Sequence, residues 1–308
     1  MVTSLTAERL ASSVLAVPPL CRNADLTLNE AENAKLIRHI ESGGIRTLLY
    51  GGNANFYHVA TSELDALLSM IARLAGDDTL VIPSVAPTFG TMMDQAKILR
   101  RHKFPTVMVL PLVGSTTSRG VEAGIRKFVD AAGVPALLYI KNDGYIEVED
   151  VVKLAESKTI SGIKYAVVRS DTGKDPYLKK LTEHVDQRLI VSGIGEQPAI
   201  THVRDFGLAG FTSGVVCVVP RISHDMLKSM RSGDWTAAEK LRATCKPLED
   251  LRNAINPVRV LHEAVRLAGI ADTGPMLPLL SNLDEPDHAR VRVAAESLLR
   301  ANDDAMRS

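Results

Sequence analysis

The sequence predicts an α/β chain folded as a closed barrel of eight parallel strands, each followed by a helix, with a helical extension at its C-terminal end. Three observations predict it. Short apolar, β-branched runs alternate with longer amphipathic segments from residue 14 to residue 213, which is the pattern of a parallel sheet covered by helices. The runs number eight, and several are almost wholly apolar, as strands buried on both faces must be. No Gly-x-Gly-x-x-Gly turn follows the first run, so the rival doubly wound sheet lacks its usual opening. At 308 residues the chain can bury a large single core.

The expected strands cover residues 14–17, 45–50, 79–83, 106–110, 136–140, 160–164, 189–192 and 210–213. The helices between them are expected over 29–41, 62–74, 92–102, 120–132, 148–157, 175–184 and 197–206. Each carries apolar residues at helical spacing, and Thr61 or Ser62 offers an N-cap to the second. After residue 223 the character changes. Helical patterns over 226–232, 235–251, 257–268 and 286–301 are broken at Gly233, at Asn256 and over 269–278. The barrel is therefore assigned to 1–223 and the extension to 224–308, packed on the barrel because no long linker precedes it.

Composition narrows the function. Net charge is zero, aromatic content is 4%, and no basic stripe is visible, which argues against nucleic acid and acidic membrane surfaces as partners. The apolar runs are far shorter than a membrane span. Residues 1–9 lack the basic-then-apolar order of a signal peptide, so a cytoplasmic location is expected. Cys21, Cys217 and Cys245 are odd in number and far apart, and read as free thiols. The eight histidines form no His-x-His or His-Glu-x-x-His group, so no metal site is expected. Gly-x-Ser-x-Gly and Walker loops are absent.

In such barrels the chemistry sits where strands end. The sixth run ends in Lys164, in apolar company. An ammonium without a partner is costly to bury and tends to lose its proton, and a neutral amine can attack a carbonyl. A lone lysine at a strand end more often snorkels to water. Tyr139, at the end of the preceding run, shifts the balance, because neighbouring strands would set a phenol beside the amine. Around this pair the strand-end loops offer Gly51, Gly52 and Asn53, whose amides could hold a carboxylate, and Lys141 as a charge partner. Ser192 and Gly193 end the seventh run and Gly214 follows the eighth, where they could admit a substrate. The loop over 111–120 adds Arg119. Each loop alone is equally well explained as a solvated turn.

Taken together, Leu138-Tyr139 and Gly162-Ile163-Lys164, with the Gly51-Gly52 loop, Gly44-Ile45 and the 207–214 stretch, resemble the dihydrodipicolinate synthase and N-acetylneuraminate lyase family of class I, Schiff-base-forming aldolases. The resemblance spans essentially the whole chain. It implies a TIM barrel, usually a homotetramer, with a homodimer as the smaller assembly. It also implies a small-molecule 2-keto acid as substrate, Lys164 as the Schiff-base lysine, Tyr139 as the proton carrier, and neither cofactor nor metal. Departures are as informative. Gly51-Gly52-Asn53-Ala54-Asn55 replaces the family's Gly-Thr-Thr-Gly-Glu, Leu112 and Val113 replace a tyrosine pair, and Gly144 stands where an arginine is usual. The double glycine, Leu110-Pro111 and Tyr139-x-Lys141 look closer to the branch that dehydrates ketodeoxyglucarate. A Schiff-base dehydratase or aldolase of a 2-keto-3-deoxy sugar acid is therefore expected. A dihydrodipicolinate synthase and a non-catalytic keto-acid-binding protein are the alternatives.

Overall fold

The computed structural model describes residues 1–307. Its strands are β1 (Leu15–Ala16), β2 (Thr47–Leu49), β3 (Leu80–Ile82), β4 (Ser84–Val85), β5 (Val107–Val109), β6 (Ala136–Ile140), β7 (Ile160–Tyr165), β8 (Ile190–Ser192) and β9 (Gly210–Ser213). All pairings are parallel, in the order β3-β2-β1-β9-β8-β7-β6-β5-β4. The expected strand over 79–83 yields β3 at one end of that order, and β4, beyond Pro83 and outside the expected run, forms the other end. Proline has no N–H and cannot carry a ladder through. β3 therefore pairs with β2 and β4 with β5, while the Pro83 carbonyl accepts from the Met108 amide at 2.8 Å. The bend joins the two edges, and the ring closes as an eight-stranded barrel.

The outer layer comprises helices Glu30–Ser42, Thr61–Leu74, Phe89–Leu99, Ser118–Ala132, Val148–Glu156, Pro176–His184, Ala199–Phe206 and Pro220–Arg231. Side-chain caps start several of them: Asn29 accepts from the Glu32 amide, Thr117 from Gly120, and Asp175 from Leu178 with Pro176 behind it. Two starts differ from the sequence expectation. The helix expected over 92–102 begins at Phe89, because its first turn is exposed and carries no apolar period. The one expected over 226–232 begins at Pro220, so position 223/224 falls inside a helix that packs on the barrel. A short turn, Ala7–Leu10, plugs the amino end of the barrel with the fully buried Leu10.

The extension consists of helices Trp235–Ala254, Pro257–Leu267 and Glu285–Arg307. Cys245, Leu248, Val260, Leu261, Ala264 and Ala295 are buried within it and against the barrel. No described helix is long and apolar enough to cross a membrane.

Strand parity decides what reaches the barrel axis. Successive side chains alternate between the interior and the helix layer. On β7, Lys164 points inward. Tyr165 points outward, where its hydroxyl donates to Asp175 Oδ2 at 2.5 Å and its ring stacks on Tyr177.

Candidate active site

A cavity of about 340 Å³ opens at the carboxyl ends of the strands. Its floor is made by the pair expected from sequence. Tyr139 and Lys164 are directly opposed in the β6–β7 ladder, so both face inward, and Lys164 Nζ lies 4.3 Å from the centre of the Tyr139 ring. Burial pulls the amine from its ordinary value near 10.5 down to about 7, helped by the charges of Lys141 and Arg252. A shift of that size corresponds to roughly 5 kcal/mol against the ammonium. The aromatic face would favour the ammonium by only ~0.5–2 kcal/mol. Burial therefore wins, and a large fraction of the amine is neutral at neutral pH. The Tyr139 phenol is pushed well above its ordinary range, first by burial and then by Tyr57 beside it, so it stays protonated.

A cation stands on each side of Lys164. β6 and β8 both neighbour β7. Lys141 follows β6 at the mouth, exposed, with neither an ion pair nor a hydrogen bond among the described residues. Arg252 comes from the extension and is held over the loop after β8, where Nη2 donates to the Ile194 carbonyl at 2.6 Å. A second phenol, Tyr57, lines the cavity from the loop after β2, and burial raises it to about 12.

The loops bring most of the expected binding residues to the cavity. Gly52 and Asn53 open a 3-10 turn, Gly52–Ala54, whose first amides have no carbonyl within the turn to donate to. The Asn53 side chain donates to the Val17 carbonyl at 3.1 Å and ties this loop to the end of β1. Gly193 must lack a side chain: a Cβ there would lie 2.9 Å from Lys164 Cγ and 2.7 Å from Ala166 Cβ. A Cβ on Gly214 would collide with Leu261 of the extension and lie 2.9 Å from Asn53 Nδ2. Gly52, Asn53, Lys141, Gly193 and Gly214 thus line one cavity together with Lys164 and Tyr139.

Three expected residues lie elsewhere. Ser192 is in register with Tyr165, not with Lys164, so it faces the helix layer and meets His202 Nδ1 at 2.8 Å. Gly51 is packed below the cavity, where a Cβ would lie 2.6 Å from Met108 Cε. Arg119 is exposed on the first turn of its helix, close enough to Asp150 to lower that carboxyl. Sequence reading in turn missed Tyr57 and Arg252 and set His58 aside, although all three line the cavity. Tyr57 and His58 were within the loop already singled out. For Arg252, one basic residue in a long amphipathic helix, no sequence signal existed.

Comparison with known proteins gives a consistent picture. The model of the dihydrodipicolinate synthetase family matches residues 12–296. A Rhizobium meliloti protein named "Probable 5-dehydro-4-deoxyglucarate dehydratase" is 27% identical over 294 residues, covering 90% of this chain and 92% of its own. A 4-hydroxy-tetrahydrodipicolinate synthase of Mycolicibacterium paratuberculosis is 26% identical over 294 residues, covering 90% and 92%. Among solved structures, a dihydrodipicolinate synthase from Bacillus clausii superposes with a TM-score of 0.80 at 23% identity, covering 94% of this chain and 99% of that one. An N-acetylneuraminate lyase from Fusobacterium nucleatum does so with a TM-score of 0.80 at 14% identity and the same coverage. At these identities the structural likeness speaks for the fold alone.

Proposed function

This chain belongs to the dihydrodipicolinate synthetase family, and on that premise we propose that it is a Schiff-base-forming lyase that dehydrates a 2-keto-3-deoxy sugar acid through Lys164. The observation that carries the reading is the neutral-leaning Lys164 amine set against Tyr139 on the cavity floor. Relatives at comparable identity are named for two different activities, and the make-up of the site favours the dehydratase. Synthesis of a dipicolinate precursor needs a second, carboxylate-bearing aldehyde to be held beside bound pyruvate. Position 144 is a glycine with φ +73° and open space around it, and Leu112 and Val113 line the strand-end loop without a phenol.

The steps follow from the groups present. The neutral Lys164 amine attacks C2 of the keto acid, and the resulting carbinolamine loses water to give an iminium. The iminium acidifies C3. Loss of a C3 proton gives an enamine, whose electron pair expels the C4 hydroxyl as Tyr139 protonates it to water. Hydrolysis of the conjugated imine returns the free lysine and the unsaturated 2-keto acid. The substrate carboxylate next to C2 lies against the Gly52 and Asn53 amides, with Lys141 as its charge partner. Aldol cleavage would use the same iminium. Three separately buried cysteines suit a cytoplasmic protein. Phe89, about half exposed, borders an apolar depression with Met92 and Leu112, suited to assembly as a homodimer or homotetramer.

The test is direct. The purified protein is incubated with a six-carbon 2-keto-3-deoxy sugar diacid and followed by mass for loss of one water. In parallel it is given pyruvate and aspartate semialdehyde. Dehydration without condensation supports the proposal, and robust condensation makes the protein a synthase.

A further inference from the structure

The barrel strands account for Lys164 and Tyr139 but not for Arg252, which reaches the cavity from a helix of the extension. Its surroundings show a side chain held for use. The Arg252 side chain is 11% exposed and lies 3.0 Å, through Nε, from Glu249 Oε1, whose own side chain is fully buried. Nη2 donates to the Ile194 carbonyl at 2.6 Å and to Glu249 Oε2 at 3.2 Å. That leaves Nη1 without a protein partner, on a residue that lines the cavity beside Gly193, Ile194 and Gly195.

Behind Arg252 the support is built in depth. Glu196 is fully buried, and its Oε1 accepts from Ser213 at 2.6 Å and from Ser223 at 2.7 Å. Gly195, at φ +91°, lies so close to Glu249 that a Cβ would sit 2.5 Å from its Oε2. The loop after β8 is therefore clamped between two buried carboxyl groups and the guanidinium. Burial raises the Glu249 carboxyl to about 8, although Arg252 pulls it down. On the other side of the lysine, Lys141 is unpaired.

An exposed, unpaired lysine and a guanidinium with Nη1 free, both lining one small cavity, suit a ligand with two anionic groups. We infer that Arg252 is a specificity residue that anchors the distal carboxylate of a 2-keto diacid, making the dicarboxylate the preferred substrate class over the monocarboxylate that ends in an alcohol or methyl group. The inference rests on the Schiff-base reading above for the position of the first carboxylate. It gives the C-terminal extension a function in the site, from the β8 side of Lys164. A guanidinium whose Nε and Nη2 are held by the protein while Nη1 stays free presents a fixed donor to a carboxylate, which a flexible lysine would not.

The experiment uses the intact protein and imine trapping, so it does not depend on turnover of a sugar. The probes are 2-oxoadipate and 2-oxohexanoate, six-carbon 2-keto acids that differ only at the far end, with pyruvate as a probe that has no far end. Half-saturating concentrations for borohydride-trapped adduct are measured for wild type, Arg252→Lys and Arg252→Gln, with thermal melting of each. Wild type is expected to prefer 2-oxoadipate by roughly 10- to 100-fold, the worth of a charge-assisted contact. Arg252→Gln should bring the two acids within about threefold of each other, and Arg252→Lys should fall between. A wild type without preference, or a preference that survives in Arg252→Gln, overturns the assignment. So does an equal loss for all three acids, which would make Arg252 only a prop for the loop. If Arg252→Gln melts early, Arg252→Lys decides by the same ratio. Absence of any adduct in wild type would bring down the Schiff-base reading as well. The expected preference without dehydration of a sugar diacid would bring down only the choice of reaction.

Discussion

The floor and the rim of the cavity are built on different principles. The floor rests on adjacent strands: Tyr139 and Lys164 are fixed by one ladder register, and nothing but backbone pairing is needed to oppose them. The rim is assembled from loops and from the extension, with Lys141, Tyr57 and Arg252 arriving from three separate parts of the chain. The floor is apolar and shifts its one amine by burial. The rim carries charge. Chemistry common to a family can be conserved on such a floor, while the rim is free to change which acid enters.

Substitutions should separate the two regions by size of effect. Lys164→Met, which removes the amine at similar volume, should abolish turnover entirely and also raise stability. The folded amine titrates near 7 and the unfolded one near 10.5. At and below pH 7 the fold carries the cost of protonating a buried amine. Between pH 7 and 10.5 the unfolded chain holds a proton that the folded chain does not, so wild-type stability rises with pH through that window. Chemical denaturation should thus find Lys164→Met more stable by a few kcal/mol, on the order set by the shift, near pH 7, with the gap closing as pH approaches 10.5. Turnover in wild type should climb through pH 7 as the amine loses its proton.

Next in size, Tyr139→Phe keeps the ring and loses the acid. Turnover should drop by roughly two or more orders of magnitude while the melting temperature barely moves. A change of only a few-fold would assign proton transfer to Tyr57. At the rim the effects should fall on binding. Lys141→Ala should raise the apparent binding constant of the 2-keto acid by about tenfold, the worth of one exposed charge contact to a carboxylate, and leave the maximal rate within about threefold. Steady-state kinetics on a single substrate separates the two parameters. Smallest of all is Ser192→Ala. Because Ser192 faces His202 and not the cavity, kinetics should be unchanged and stability should fall by ~1 kcal/mol. A large kinetic effect there would contradict the parity on which the floor is built.

This difference also explains what could be read from the sequence. Tyr139 and Lys164 were legible because each ends an apolar run, and consecutive runs in a barrel are neighbours. The barrel and the extension were legible from the alternation of runs for the same reason. Ser192 was misplaced because naming a strand end does not fix its parity; one residue of register turns a side chain from the cavity to the helix layer. The two-residue strand beyond Pro83 went unread because the run was ended at that proline, which breaks the ladder without ending the sheet. Arg252 was out of reach, since only tertiary packing of the extension brings it over the β8 loop.

The central claim is that a neutral Lys164 forms the imine. Borohydride reduction in the presence of pyruvate, followed by peptide mass mapping, tests it most directly. A reduced adduct is expected on the peptide that carries Lys164, growing with pH through about 7 and absent from Lys164→Met. An adduct on Lys141, or none on any lysine, would contradict the account.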